Sequence, residues 1–120
     1  MKKLPITFVI LLLLTQLSAQ SLPEDSVRQG QKLDSALAIV ALHRGDTSEI
    51  NTLVWLARNS EGKNPERAYQ YIHTALDLST RLKLKNSIVY CYNELGALHH
   101  NNGQYDSSSF YYHKVLASGN

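Results

Sequence analysis

The stretch Tyr92-Asn93-Glu94-Leu95-Gly96-Ala97-Leu98-His99-His100-Asn101-Asn102-Gly103-Gln104-Tyr105-Asp106-Ser107-Ser108-Ser109-Phe110-Tyr111-Tyr112-His113-Lys114-Val115-Leu116 decides the fold. It carries two helical patterns joined by one turn. Ile88, Tyr92, Leu95 and Leu98 recur at the spacing of one helix face, which predicts a helix over about 87–100. Asn101-Asn102-Gly103 is turn chemistry. A second helix follows over about 105–117, with Ser108, Tyr112, Val115 and Leu116 inward.

Upstream, three more amphipathic segments follow the same logic. The first runs from about Glu24 to His43, with Pro23 before it and Glu24 and Asp25 at the positive end of its dipole. Leu33, Leu37, Val40 and Ala41 form its apolar stripe, and Gly45 is placed to stop it. The second starts near Asp46, where Asp46 and Glu49 have capping-box spacing. Its buried face is Ile50, Leu53, Val54, Leu56 and Ala57, with Trp55 beside it. The third begins at the Asn64 cap, with Pro65 in the first helical position and Glu66 in the first turn. Ala68, Tyr71, Ile72, Ala75, Leu76 and Leu82 form its stripe, and Lys83 and Lys85 lie near its negative end. No segment after residue 20 reads as a strand. The expected fold class is therefore all-α, with antiparallel helix hairpins packed in sequence.

The chain also repeats itself. Displaced by 40 residues, Ala68 falls on Ser108, Tyr71 on Tyr111, Ile72 on Tyr112, Ala75 on Val115 and Leu76 on Leu116. Small meets small or valine, and large meets large. Close helix crossings admit only small side chains, and a bulky neighbour fills the next gap.

Tyr92-x-x-Leu95-Gly96, followed by Gly103, Tyr105, Ser108, Tyr112 and Leu116, resembles a tetratricopeptide repeat (TPR). His99 stands where that family has Tyr, and Ser108 and Val115 where it has Ala. Leu53-x-x-Leu56-Ala57, with Asn64-Pro65-Glu66-Arg67-Ala68 and Ala75-Leu76, is a looser copy. The resemblance covers roughly residues 46–117 and is similar in style to exported repeat arrays preceding signalling domains in some bacterial sensor kinases and regulators. It implies a short α-α superhelix, a TPR-like solenoid: an N-terminal capping helix over 21–45, then about two hairpins over 46–85 and 86–118. Two repeats are fewer than the roughly three that solenoids usually need. The chain is therefore expected to be either truncated or completed at its open C-terminal end, where Val115 and Leu116 form an apolar edge, by self-association or by a partner.

The resemblance also implies a concave binding face on the first helix of each hairpin. That face would carry Asn51, Val54 and Arg58 from one hairpin, and Tyr90, Asn93, His100 and Asn101 from the next. Asn suits backbone amides, Arg a carboxylate and Tyr a side-chain pocket, so an extended peptide or protein segment is the expected ligand. Some family members clamp a C-terminal carboxylate with Lys and Asn; here Asn93 and Arg58 are present without a Lys.

Met1-Lys2-Lys3, the apolar run Ile6–Leu14 and the small residues Ser18 and Ala19 have the order of a cleavable signal peptide over 1–20. The apolar run is shorter than the roughly 20 residues of a membrane span. A periplasmic or extracellular protein, not inserted in a membrane after cleavage, is expected. The 120-residue chain has 12 basic and 10 acidic residues; cleavage removes Lys2 and Lys3 and leaves a formally neutral chain. That balance argues against nucleic acid and against an anionic membrane surface as partner.

Catalytic signatures are missing: there is no phosphate-binding glycine loop, no nucleophile elbow and no zinc helix. His43, His73, His99, His100 and His113 are scattered, although His99 and His113 could approach across the last hairpin. Structural zinc needs about four ligands, so a small histidine-based metal protein is the minor alternative. Cys91, the one cysteine, reads as a small buried hydrophobe. The leading expectation is an exported, non-catalytic interaction scaffold without a cofactor. The alternative is the N-terminal sensory part of a larger signal-transduction protein.

Overall fold

A computed structural model describes residues 24–118, so the expected export signal lies outside the described residues. Those residues form five α-helices: α1 (Glu24–Ala41), α2 (Thr47–Ser60), α3 (Pro65–Arg81), α4 (Lys85–Asn101) and α5 (Tyr105–Ser118). From α2 onward each helix packs antiparallel on the next, and α2 also touches α4. The described residues divide inside α1 into two units, 24–34 and 35–118. No described helix is long and apolar enough to cross a membrane.

Local chemistry sets the helix starts. The Asp46 side chain accepts from the Glu49 N–H at 3.0 Å. Glu49, only 6% exposed, reaches back past the cap and accepts from the Gly45 N–H at 2.7 Å. This is the capping-box exchange displaced by one residue. At α3 the Asn64 side chain accepts from the Arg67 N–H at 3.1 Å, with Pro65 opening the helix. Helix α4 starts at Lys85, ahead of the expected Ser87, and its cap residue Leu84 makes no side-chain cap bond.

Two helices end in the same way. After α3, the Leu84 N–H bonds to the Ser79 carbonyl and the Lys83 N–H to that of Thr80. After α4, Gln104 N–H bonds to the His99 carbonyl and Gly103 N–H to that of His100. Both are Schellman closures, which require a left-handed residue. Gly103 supplies it at φ +73°, and Lys83 at φ +55°.

The core contains Ile50, Leu53, Val54 and Ala57 of α2, Ala68, Ile72, Ala75 and Leu78 of α3, and Cys91, Leu95 and Leu98 of α4. Ala68 and Ala75 have no exposed surface, as close crossings demand. Ser108, the counterpart of Ala68, is 3% exposed, and its hydroxyl donates to the Gly96 carbonyl at 2.8 Å. The buried Ser79 hydroxyl is satisfied by the Ala75 carbonyl of its own helix.

Several expected stripe residues lie elsewhere. Leu33 and Leu37 are 41% and 43% exposed and Ala41 is exposed, whereas Ala36 is buried and Val40 packs against the core. Helix α1 stops at Ala41, short of the expected His43. Leu82 is 41% exposed because α3 has already ended, and Leu78 and Ser79 take the inward positions instead. On α5, Ser108 is buried and Val115 half-buried, but Leu116 is 70% exposed because no described helix covers that side.

Candidate peptide-binding face

The seven residues expected on a concave face separate into three groups. Arg58 and Tyr90 are brought together, with the guanidinium 5.5 Å from the ring centroid. Asn51, Asn93, His100 and Asn101 are exposed on α2 and α4. Val54 is 1% exposed and belongs to the core, so it offers no side chain to a ligand. The family resemblance put it on the face; in the structure it is part of the core that α2 shares with α3 and α4.

Glu94 completes the cluster. Arg58 Nε donates to Glu94 Oε2 at 3.0 Å and Nη2 to Oε1 at 2.5 Å, a two-pronged pair between α2 and α4. The Arg58 side chain is 54% exposed and that of Glu94 13%. Glu94's hydrogen bonds hold the guanidinium protonated more firmly than usual. Two turns further along α4, Asn101 Nδ2 donates to Glu61 Oε1 at 2.6 Å. Glu61 and Glu94 were not among the expected site residues. The spacing of Tyr90, Glu94, Ala97 and Asn101 puts all four on one face of α4 and would have identified Glu94.

Between these two cross-links lies a cavity of about 20 Å³, bordered by Arg58, Glu61, Glu94 and Ala97. That is space for a single water. The face is therefore a shallow polar surface braced from beneath. Arg58, the residue suited to a ligand carboxylate, already holds an internal one. A separate open groove of about 510 Å³ borders Lys83, Lys85, Ile88, Tyr92 and Ala117 and includes none of the seven residues.

The histidines are occupied separately. The His99 ring stacks on Tyr111 at 5.4 Å and lies 4.7 Å from Tyr69. Its Nδ1 lies 2.7 Å from Gln104 Oε1, which also accepts from the Tyr69 hydroxyl at 2.8 Å. Because Oε1 can only accept, Nδ1 carries the proton. Asn102 Nδ2 donates to the Tyr69 hydroxyl at 3.1 Å, closing a network that ties α3 to the α4–α5 turn. His113 Nδ1 bonds instead to the Ser109 carbonyl at 2.7 Å. Among the described residues no three His, Cys, Asp or Glu side chains are grouped to hold a metal ion. Cys91 is fully buried, and burial raises its thiol pKa above the ordinary value.

Comparison with known proteins matches no family model, no curated relative and no solved structure.

Proposed function

We propose that this chain is an exported, non-catalytic scaffold of TPR type that binds an extended protein segment across α2 and α4. The observation that carries this reading is the Arg58–Glu94 pair, which links α2 to α4 with the Tyr90 ring beside the guanidinium; Asn51 on α2 and Asn93 and His100 on α4 are exposed on the same two helices. Side-chain amides and an aromatic ring on rigid helices suit a peptide backbone and one anchoring side chain. The fold supports the family assignment through its small-residue crossings. Ala68, Ala75, Gly96 and Ser108 stand at or near the family's small positions and are buried.

The Arg58–Glu94 pair refines the ligand. A peptide carboxylate would have to displace Glu94 to reach the guanidinium. The favoured ligand is thus an internal segment, held by its backbone and an apolar side chain, in preference to a C-terminal carboxylate.

A displayed library of random peptides, selected on the 120-residue chain, tests this. Selected peptides are expected to bind the wild-type chain and to lose at least tenfold in affinity against Arg58→Ala/Tyr90→Ala/Asn93→Ala of unchanged helicity. Equal binding by that variant would reject the α2–α4 face. A requirement for a free C-terminus would reject the ligand class.

A further inference from the structure

The open groove of about 510 Å³ lies on a part of the molecule that the peptide-binding reading does not use. Thr80 of α3 stands on one side of it and Ala117 of α5 on the other, and the half-buried Ile88, Val89 and Tyr92 of α4 run between them. Phe110 and Lys114 lie on the side of α5 turned away from Tyr112 and Leu116, and Lys114 reaches over Tyr92. The groove is therefore bounded by three successive helices, between α3 and α5.

Its charge has one sign. Lys83 and Lys85 border it and are exposed. At its edge the Lys114 ammonium lies 5.4 Å from the Tyr92 ring centroid and 4.9 Å from that of Phe110. A ring face attracts a cation, so the two rings hold this charge in place. No Asp or Glu borders the groove. Among the described residues, none of the ion pairs involves these three lysines. Three unpaired positive charges along an apolar strip, in a chain that is formally neutral beyond residue 20, are complementary to an anion that also carries an apolar group.

We propose that this groove is a second docking site, for an acidic segment of a partner protein in which carboxylates flank an apolar residue. Small-molecule pockets bury most of their ligand's surface. This groove is open along its length and suits an extended segment instead. Lys85 and Tyr92 are seven residues apart on α4, about 10 Å along its axis. Carboxylates about three to four residues apart on an extended chain span that distance. They would reach Lys83 and Lys85 at one end and Lys114 at the other, with the apolar side chain against Ile88 and Tyr92. The proposal does not rest on the α2–α4 reading, because the groove contains none of the residues of that face.

The test selects displayed random peptides on the 120-residue chain carrying Arg58→Ala/Tyr90→Ala/Asn93→Ala, so that the α2–α4 face cannot supply the binding. The selected peptides are expected to be rich in Asp and Glu around an apolar residue, and to bind the wild-type chain as well. Each exposed ion pair contributes a factor of about two, so Lys83→Gln/Lys85→Gln/Lys114→Gln of unchanged helicity should bind them roughly tenfold more weakly. Raising salt from about 50 to about 500 mM should weaken wild-type binding several-fold and that of the glutamine variant much less. Ile88→Ser should weaken binding at both salt concentrations. No selected peptides, peptides without acidic enrichment, or equal binding by the glutamine variant would overturn the proposal. Dodecanoate displacing the peptides at a lower concentration than they themselves require would overturn the protein segment as occupant.

Discussion

Gly96 on α4 lies directly beneath the ring of Tyr112 on α5: a Cβ at Gly96 would stand 2.6 Å from Tyr112 Cε1 and 2.7 Å from Cδ1. No real Cβ sits that close, so glycine here is a packing requirement of the α4–α5 crossing. Gly96→Ala gains about 1 kcal/mol of helix propensity but overpacks the crossing by about 1–3 kcal/mol. The expected net is a loss of about 1 kcal/mol in urea unfolding. In a Tyr112→Ala background the clash is gone, and the same substitution should stabilise by several tenths to about 1 kcal/mol. The change of sign is the readout. A loss of equal size in both backgrounds would place the constraint in the α4 backbone instead of the ring.

The two Schellman closures differ in one residue, and stability should register it. Lys83 adopts φ +55° with a side chain, whereas Gly103 adopts φ +73° without one. A left-handed L-residue costs roughly 1–2 kcal/mol, partly offset by the larger entropy that glycine loses on folding. Lys83→Gly should therefore raise stability by about 0.5–1 kcal/mol. Gly103→Ala should lower it by a similar amount, although nothing within 4 Å obstructs a Cβ there. Thermal melts of both variants would show opposite shifts in Tm.

Arg58 and Glu94 link α2 to α4 with two hydrogen bonds, and the arginine is half exposed. Solvent screening limits such a pair, so a double-mutant cycle with Arg58→Met and Glu94→Gln should return about 1 kcal/mol of coupling or less. The effect on binding should be larger and opposite for the two partners. Glu94→Gln releases the guanidinium and should raise affinity for peptides ending in a free carboxylate, while Arg58→Met should not. Titration of a carboxylate-terminated peptide into each variant decides this.

Cys91 and Tyr111 give the protein an alkaline limit. Burial raises both pKa values above their ordinary 9.0 and 10.0. A raised folded-state pKa means that the unfolded chain loses its proton first. The stabilisation is full below about pH 9 and is lost as pH rises through the raised folded values. Unfolding free energy should accordingly fall above pH 9, and Cys91→Ala should flatten the first part of that fall. In the native protein the thiol should react with a maleimide only as fast as the core opens.

The helix count, the caps at Asp46 and Asn64, and the buried residues Ile50, Leu53, Leu56, Ile72, Ala75 and Leu95 were legible in the sequence, because capping and one-face periodicity are local. The face was legible only in part. Arg58 and Tyr90 are 32 residues apart, and nothing local predicts that they meet. Val54 fits both a binding stripe and a core stripe, and only the packing of α2 with α3 and α4 places it in the core.

The sequence by itself determined that the described residues form helices with apolar faces, since local hydrogen bonding and hydrophobic period suffice for that. Tertiary structure decided what those helices leave available. It committed Arg58 to Glu94, placed Tyr112 over Gly96, engaged His99 between Tyr69 and Tyr111, and left Leu116 uncovered by any described helix. Each of these outcomes depends on which helix packs against which, and side-chain partners across a crossing are chosen by shape and charge in space, not by spacing along the chain.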